Sequence, residues 1–249
     1  MIEARDLSGG YGRRNDVVGP VSLTFADGRI TVLTGPNGSG KSTLLKLCCG
    51  QLKRSGGEVL LERRPLDSLS RTEIARAAAY LPQNRATPDI AVENLVLHGR
   101  FPWLGYPRIY RQKDRAAALR AMERTGIAGK RKKRMAELSG GERQKAYLAM
   151  LLAQDTRSVL LDEPTTYLDV AHQLELEDLL FLLKREGKAV GVVLHDLNLA
   201  LDCADAMAVM KEGGLLFFGP PEKALSSGVL EKTFGVRILP NRRYGFSLR

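Results

Sequence analysis

The feature that most constrains the fold is a glycine-rich segment at residues 35–43, which reads Gly-Pro-Asn-Gly-Ser-Gly-Lys-Ser-Thr. It fits the pattern G-x-x-x-x-G-K-[ST], whose backbone N–H groups surround phosphate oxygens at the start of a helix. An apolar run at residues 32–34 before it reads as a strand, and residues 42–47 after it read as a helix. Because the pattern requires this strand–loop–helix order, the segment predicts a binding site for a nucleoside triphosphate.

Two side chains of this loop have different chemical tasks. Lys41 can reach the β- and γ-phosphates as a point charge, and the hydroxyl of Ser42 is suited to ligate Mg²⁺. The glycines allow the backbone to approach the phosphates closely. The residues expected to surround the phosphates are Gly35, Pro36, Asn37, Gly38, Ser39, Gly40, Lys41, Ser42 and Thr43.

Two neighbouring carboxylates, Asp162 and Glu163, follow an apolar run at residues 158–161. Open α/β sheets collect ligands at the carboxyl ends of their strands. A solvated turn would also account for an acidic pair, but a core strand would bring both groups beside the phosphate loop. There we predict that Asp162 holds Mg²⁺ and that Glu163 polarises the attacking water.

Apolar runs later in the chain predict a parallel sheet. Continuous runs of this kind are typical of strands that helices cover on both faces. The runs occupy residues 159–161, 189–194 and 206–210, and the helices expected between them occupy 170–186 and 197–204. We therefore predict a mostly parallel sheet between two layers of helices.

Two other regions have different patterns. Residues 21–25 and 58–62 alternate apolar with polar side chains, which is typical of antiparallel strands. From about residue 85 to 157 the pattern turns helical, with good helix formers at 116–122 and Gly126 at the expected end of that helix. An antiparallel β region and a helical insertion are therefore expected beside the parallel sheet.

Composition narrows the class of protein further. The 249 residues, 44% of them hydrophobic, are enough for a full core and argue against disorder. No stretch approaches the roughly 20 apolar residues that span a bilayer, and the start of the chain lacks the order of a signal peptide, so we expect a cytoplasmic protein that docks on a membrane at most.

The net charge of +10 favours anionic partners without choosing among them. Cys48, Cys49 and Cys203 have no disulfide or metal spacing and are interpreted as reduced core thiols.

A third pattern, Leu-Ser-Gly-Gly-Glu at residues 138–142, lies between the phosphate loop and the acidic pair. In this order the three patterns resemble those of ATP-binding cassette nucleotide-binding subunits, and the likeness covers nearly the whole chain. The resemblance implies ATP as the nucleotide and a P-loop NTPase core. It also implies one domain over 1–249, with a RecA-like core and antiparallel β subdomain in 1–84 and 158–249 and a helical subdomain in 85–157.

The resemblance implies roles for residues that no local pattern identifies. Gln83 would contact Mg²⁺ and the attacking water and link the core to the helical subdomain, and His195 would contact the γ-phosphate. Leu168 and Asp169 resemble a loop that crosses the dimer interface, and Tyr11 would stack on adenine. Taken alone, a glutamine at this position is more often an exposed loop residue, and a histidine after an apolar strand is more often structural than catalytic. Tyr11 alone could equally be a strand residue in the core.

Ser139, Gly140 and Gly141 would, in the same family, bind the γ-phosphate held by the other subunit, so that two copies form a head-to-tail dimer around ATP. A serine before two small residues leaves helix N-terminal N–H groups open to an anion. The alternative is a helix cap in which the glycines serve only the turn.

An aromatic segment at residues 87–106 follows Gln83 and indicates a protein partner. Its wording Gly-Arg-Phe-Pro-Trp, at residues 99–103, resembles the ATPases of ferric-siderophore, haem and cobalamin uptake, in which this region contacts a cytoplasmic helix of the membrane subunit. The segment reads as an aromatic-rich interface, with burial under a loop as the alternative. Its apolar members are Phe101, Trp103, Leu104 and Tyr106.

The resulting hypothesis is the ATP-hydrolysing subunit of a metal-chelate importer, with a ferric siderophore as the first choice of cargo and haem or cobalamin as alternatives. It would act as a homodimer on permease subunits at the cytoplasmic face of the inner membrane, with a periplasmic or lipoprotein binding protein as an indirect partner and no nucleic acid. The rival is a non-transport cassette acting on nucleic acid or the ribosome, which the charge of +10 suits. The basic run at residues 130–134 is interpreted as solvated surface.

Overall fold

The computed structural model describes residues 1–12, 16–165 and 169–237. The strands of this part of the chain are β1 (Ile2–Gly10), β2 (Asp16–Phe25), β3 (Ile30–Thr34), β4 (Arg54–Leu61), β5 (Arg64–Pro65), β6 (Ala78–Leu81), β7 (Ser158–Leu161), β8 (Ala189–Val193), β9 (Ala206–Lys211) and β10 (Gly214–Gly219). Its α-helices are α1 (Lys41–Cys48), α2 (Arg71–Ala77), α3 (Val92–His98), α4 (Gln112–Arg124), α5 (Gly140–Ala153), α6 (Val170–Arg185), α7 (Leu197–Cys203), α8 (Pro221–Ser226) and α9 (Val229–Phe234).

The larger sheet has the strand order β10-β9-β3-β8-β7-β6. Every neighbouring pair from β9 to β6 is parallel, and β10 is antiparallel to β9. Strands β3, β7 and β8 are buried along their whole length, as expected when helices cover both faces of a sheet. The parallel strands predicted from the apolar runs are confirmed, and the helices predicted between them correspond to α6 and α7.

The smaller sheet is antiparallel and has the order β2-β1-β4-β5. The two segments predicted as antiparallel strands lie in β2 and at the end of β4, but they do not pair with each other. Strand β1, which the sequence patterns did not identify, lies between them. Buried side chains of this sheet share one core cluster with Leu44 and Leu45 of α1, so the sheet supports the helix that follows the phosphate loop.

The described chain between β6 and β7 is mainly helical. Helices α3, α4 and α5 pack on one another, and their buried side chains join the core that covers one face of the larger sheet. Because β6 and β7 are adjacent parallel strands, the segment leaves and re-enters the sheet at neighbouring positions. Gly126, with φ of +68°, follows the end of α4, as the sequence predicted.

Two predictions from composition can be compared with this fold. Cys48, Cys49 and Cys203 are buried and unpaired, which confirms their interpretation as core thiols. Within the described ranges, no helix combines the length and the apolar character needed to cross a membrane.

Candidate nucleotide-binding site

The phosphate loop joins the end of β3 to the start of α1, and its glycines are required by close contacts. Gly35 has φ of +147°, and a Cβ there would lie 2.1 Å from the carbonyl oxygen of Met210 in β9. Gly40 precedes the helix in the left-handed region, and its Cβ would lie 2.8 Å from Val18. Side chains are therefore excluded where the loop passes between β2 and β9, and the glycines allow its backbone to approach a phosphate closely.

Lys41 lies at the base of this loop and is only 5% exposed. Its Nζ donates to the carbonyl oxygens of Gly35 and Pro36, both at 2.9 Å, and lies 3.4 Å from Oγ of Ser39. Burial lowers the pKa of Lys41, and the carboxylates of the acidic pair act in the opposite direction. The ammonium group is thus held within the loop and largely shielded from water. A bound anion would replace its hydrogen bonds to the two carbonyl oxygens and favour its charged form.

Asp162 follows β7 and is 2% exposed. Its Oδ1 accepts a hydrogen bond of 2.8 Å from Oγ of Ser42, and its Oδ2 accepts one of 2.9 Å from the hydroxyl of Tyr80. Burial raises the pKa of Asp162, and the hydrogen bonds from Ser42 and Tyr80 lower it. The carboxylate is therefore oriented by two donors from two different elements.

Tyr80 is a site residue that sequence reasoning missed. It lies in β6, where it pairs in register with Leu160 of β7, so its side chain can reach the carboxylate that follows β7. Burial, followed by the nearby Asp162 carboxylate, raises the pKa of the Tyr80 phenol far above its ordinary value, so it stays a donor. The signal available in the sequence was a tyrosine near the end of the strand before Gln83, but its partner depends on strand order.

Glu163 brings two other predicted residues together. Its Oε1 lies 2.6 Å from Nε2 of His195, which follows β8, and its Oε2 accepts a hydrogen bond from Nε2 of Gln83, which follows β6. The Glu163 side chain is only 12% exposed. Three parallel strands thus bring the three side chains predicted for hydrolysis into contact at one point, as the geometry of open α/β sheets favours.

A cavity of about 540 Å³ connects these groups to the phosphate loop. Its lining includes most of the residues predicted for the phosphates and for hydrolysis, together with Val17, which was not predicted. The lining residues are Val17, Asn37, Gly38, Gly40, Lys41, Ser42, Thr43, Gln83, Glu163 and His195. The arrangement provides a cation, hydroxyl and amide groups, and a carboxylate paired with a histidine around one space.

Ser139, Gly140 and Gly141 lie at the start of α5 and do not line this cavity. Ser139 caps the helix: its Oγ accepts from the N–H of Glu142 at 3.3 Å, and its own N–H donates to the Glu142 carboxylate at 3.0 Å. Gly141 faces His172, whose Nε2 would lie 2.8 Å from a Cβ at that position. The serine is therefore a helix cap, and Gly141 is also required by a close contact with the His172 ring, whereas a Cβ at Gly140 would meet no atom within 4 Å.

Asp169 and Tyr11 lie outside the cavity as well. Asp169 caps α6, and its Oδ1 accepts from the N–H of His172 at 2.9 Å and lies 2.6 Å from the ring Nδ1, hydrogen bonds that lower the pKa of Asp169. Tyr11 is 52% exposed, and its hydroxyl accepts a 3.0 Å hydrogen bond from Lys46 of α1. The prediction for Leu168 falls outside the described residues.

The aromatic segment combines the two alternatives considered from the sequence. Trp103 is anchored, because its Nε1 donates to the carbonyl oxygen of Gln154 at 2.7 Å and the guanidinium groups of Arg76 and Arg100 lie 5.3 and 5.4 Å from the centre of its ring. Phe101 is 47% exposed and Tyr106 is fully exposed. The segment therefore has a fixed base and an exposed aromatic edge.

The basic run at residues 130–134 is neutralised in part by neighbouring acids. Lys130 contacts Glu142 of α5, and Lys132 pairs with Glu93 of α3 at 2.8 Å. These ion pairs connect the run to two helices of the segment between β6 and β7, which agrees with its interpretation as ordinary surface.

Comparison with known proteins gives consistent matches. The sequence profile of the ABC transporter family matches residues 18–166. The chain is 38% identical over 240 residues to the ferric enterobactin transport ATP-binding protein FepC of Escherichia coli (strain K12), with 96% of this chain and 88% of the relative aligned. It is 40% identical over 236 residues to the hemin import ATP-binding protein HmuV of Nocardia farcinica (strain IFM 10152), with 94% and 80% aligned.

A solved structure supports the same assignment. The ATP-binding cassette MJ0796, in a dimeric post-hydrolysis state bound to ADP and Pi, superposes with a TM-score of 0.77 at 25% identity, and the match covers 89% of this chain and 99% of that chain.

Proposed function

This chain belongs to the ABC transporter family, and we propose that it is the ATP-hydrolysing subunit of an importer that takes up a metal chelate. The observation that carries the proposal is the cavity in which Lys41, Ser42, Gln83, Glu163 and His195 meet at the carboxyl ends of parallel strands. Binding a triphosphate requires the first two of these residues, and hydrolysing it requires a group that activates water.

The residues of the cavity fit ATP together with Mg²⁺. Mg²⁺ prefers oxygen ligands and is usually bound through one or two carboxylates plus substrate phosphates. The Ser42 hydroxyl and the Asp162 carboxylate, whose oxygens are 2.8 Å apart, supply such ligands, and Gln83 adds an amide at the same cavity. When bound, the metal would neutralise charge on the phosphate oxygens.

Glu163 is the residue that we assign to water activation. Its carboxylate is oriented from two sides, by His195 and by Gln83, and it lines the cavity beside Lys41. A carboxylate in this position accepts a hydrogen bond from the attacking water and takes its proton as the water oxygen bonds to the γ-phosphorus. The bond from that phosphorus to the β–γ bridging oxygen breaks in the same step, and ADP leaves with that oxygen. His195 orients Glu163 and contacts the γ-phosphate, and Lys41 neutralises the phosphate charge.

A homodimer would complete the site. Ser139, Gly140 and Gly141 lie outside the chain's own cavity, at the exposed start of a helix of 14 residues. The N-terminus of a helix of that length attracts anions. In the proposed dimer this helix start from one copy contacts the γ-phosphate bound by the other, Asp169 lies at the interface, and Tyr11 stacks on the adenine.

The proposed cargo is a ferric siderophore, with haem and cobalamin as the alternatives to be tested. Two aligned relatives are named for ferric enterobactin transport and for hemin import. The exposed aromatic edge formed by Phe101 and Tyr106 is suited to a protein partner, and the proposed partner is a permease helix. The chain would then work on the cytoplasmic face of the inner membrane, with a binding protein delivering the chelate on the other side.

The decisive experiment reconstitutes the full chain with a candidate metal-chelate permease in proteoliposomes. ATP turnover is measured while binding protein loaded with a ferric siderophore, haem or cobalamin is added outside. We expect stimulation by the ferric siderophore complex, and the Glu163→Gln chain serves as the control that links turnover to this subunit. Stimulation by another chelate would change the proposed cargo but would still support the importer function.

The rival function acts on nucleic acid, and the net charge of +10 is the observation that favours it. Nucleic-acid binding through phosphates weakens steeply as salt is raised. Salt-sensitive binding of RNA or DNA, together with ribosome association and no response to any permease, would favour the rival and overturn the importer.

A further inference from the structure

Helix α5 is joined by polar contacts to the turn after β6, which carries Gln83, and to the turn after β7, which carries Glu163. We call these two segments the hydrolytic turns. Nη2 of Arg85 donates to Oε1 of Gln144 at 2.7 Å, and Nε2 of Gln144 donates to the carbonyl oxygen of Pro164, also at 2.7 Å. The Arg85 guanidinium lies over the ring of Tyr147, 4.7 Å from its centre, and the Tyr147 hydroxyl donates to the carbonyl oxygen of Ala86. We name the three side chains Arg85, Gln144 and Tyr147 the α5 clasp.

Gln144 and Tyr147 are buried and Arg85 is half-buried, so placing the Arg85 charge in this cluster costs free energy. Gln144 is 7% exposed, and Nη1 of Arg85 is buried without a hydrogen-bond partner among the described residues. Burial lowers the pKa of Arg85, which reflects the free-energy cost of keeping its charge there. One hydrogen bond and one ring contact offset that cost only in part.

The position of the clasp along the chain gives it a direct connection to the chemistry. Arg85 is two residues after Gln83, and Pro164 is the residue after Glu163, so the hydrogen bond between Gln83 and Glu163 is bracketed by two contacts to α5. Gln144 lies little more than one turn after the start of that same helix at Gly140.

We propose that Arg85 is a positioning residue, which acts through Gln144 to set the position of Gln83 and Glu163 according to the position of helix α5. A displacement of the helix start moves the two hydrolytic turns with it, because Gln144 contacts both of them. The inference rests on the proposed roles of Gln83 and Glu163. Arg85 and Gln144 do not line the cavity, so their loss leaves the nucleotide contacts in place.

The test is a double-mutant cycle on the full chain. Arg85→Met keeps the length of the side chain and removes its donors, and Gln144→Met removes both amide contacts. We expect each change to lower kcat for ATP by about tenfold or more while KM stays within about twofold of the parent. The double variant should be no slower than the slower single variant, because both changes break the same connection.

Two further variants separate positioning from folding. Arg64→Met removes an exposed arginine paired with Glu73 at 3.1 Å and should keep the parent kcat. Arg85→Lys restores one donor and should recover part of the lost kcat. Thermal unfolding is measured for every variant, and if Arg85→Met does not fold, Gln144→Met carries the same test.

The outcomes distinguish this inference from the proposed function. A kcat of Arg85→Met within about twofold of the parent, or additive losses in the double variant, would overturn the clasp. If Glu163→Gln keeps normal turnover, the assignment of Glu163 itself is wrong. If Glu163→Gln lowers kcat while Arg85→Met keeps the parent kcat, only the role of Arg85 is overturned.

Discussion

Replacing Tyr80 by phenylalanine removes one of the two hydrogen bonds that orient the buried carboxylate of Asp162. The bond measures 2.9 Å, and the remaining donor is the Ser42 hydroxyl at 2.8 Å. A hydrogen bond to a charged group contributes about 1.5–3 kcal/mol. Loss of a group that orients a metal ligand lowers metal affinity by about 10- to 100-fold. Since a factor of ten corresponds to about 1.4 kcal/mol, the two estimates agree.

The assay is a titration of ATP turnover with Mg²⁺, together with nucleotide binding measured with Mg²⁺ and with EDTA. We expect Tyr80→Phe to raise the Mg²⁺ concentration for half-maximal turnover by about 10- to 100-fold and to leave metal-free nucleotide binding unchanged. Tyr110→Phe is the matched control, because Tyr110 is a partly buried tyrosine of the core between β6 and β7. An Mg²⁺ requirement of Tyr80→Phe equal to that of Tyr110→Phe would refute the orienting role.

Three further results are expected. Glu163→Gln should keep nucleotide affinity while turnover falls by about 100- to 10,000-fold, measured by binding and phosphate release, and near-normal release would remove Glu163 from water activation. Mixed dimers that carry Ser139→Arg in one chain and Lys41→Ala in the other should keep one intact site and turn over ATP. Dimers that carry both changes in the same chain, paired with a parent chain, should have no intact site and no turnover. Equal activities of the two dimers would contradict a site shared between the chains. Burial, followed by the Asp202 carboxylate, raises the pKa of Glu177 in the folded state, so its ionised form costs stability above that pKa. Glu177→Gln should therefore unfold at a higher temperature than the parent at about pH 7, and the difference should vanish near pH 4; the same shift at both values would exclude an ionisation effect.

The sequence was sufficient for those parts of the site that depend on local order. Lys41 and Ser42 belong to one loop whose phosphate-binding pattern is contained in nine consecutive residues. Asp162 and Glu163 follow a strand whose burial is visible in its apolar run. Parallel strands bring their carboxyl ends to one edge, so the meeting of these groups follows from the sheet. Their convergence was therefore predictable once the strands were identified.

Contacts that depend on strand order or on helix packing were not predictable. Tyr80 reaches Asp162 only because β6 is the neighbour of β7, and nothing local in the sequence fixes that pairing. Gln144 reaches Pro164 only because α5 packs beside the turn that follows β7. The sequence grouped Trp103 with its exposed neighbours as part of an aromatic interface. Its N–H instead donates to a carbonyl that lies 51 positions away in the chain. In each case the partner is distant in sequence, where periodicity carries no information.

The backbone of Glu163 accounts for how two consecutive acids serve one cavity. In an extended strand, successive side chains point to opposite faces, so Asp162 and Glu163 would diverge. Glu163 instead has φ of +49°, a left-handed conformation that costs a residue with a side chain about 1–3 kcal/mol. This turn breaks the alternation, so Asp162 stays buried beside Ser42 while Glu163 faces His195. The hydrogen bond from Gln144 to the carbonyl oxygen of Pro164 then holds the residue that follows this turn.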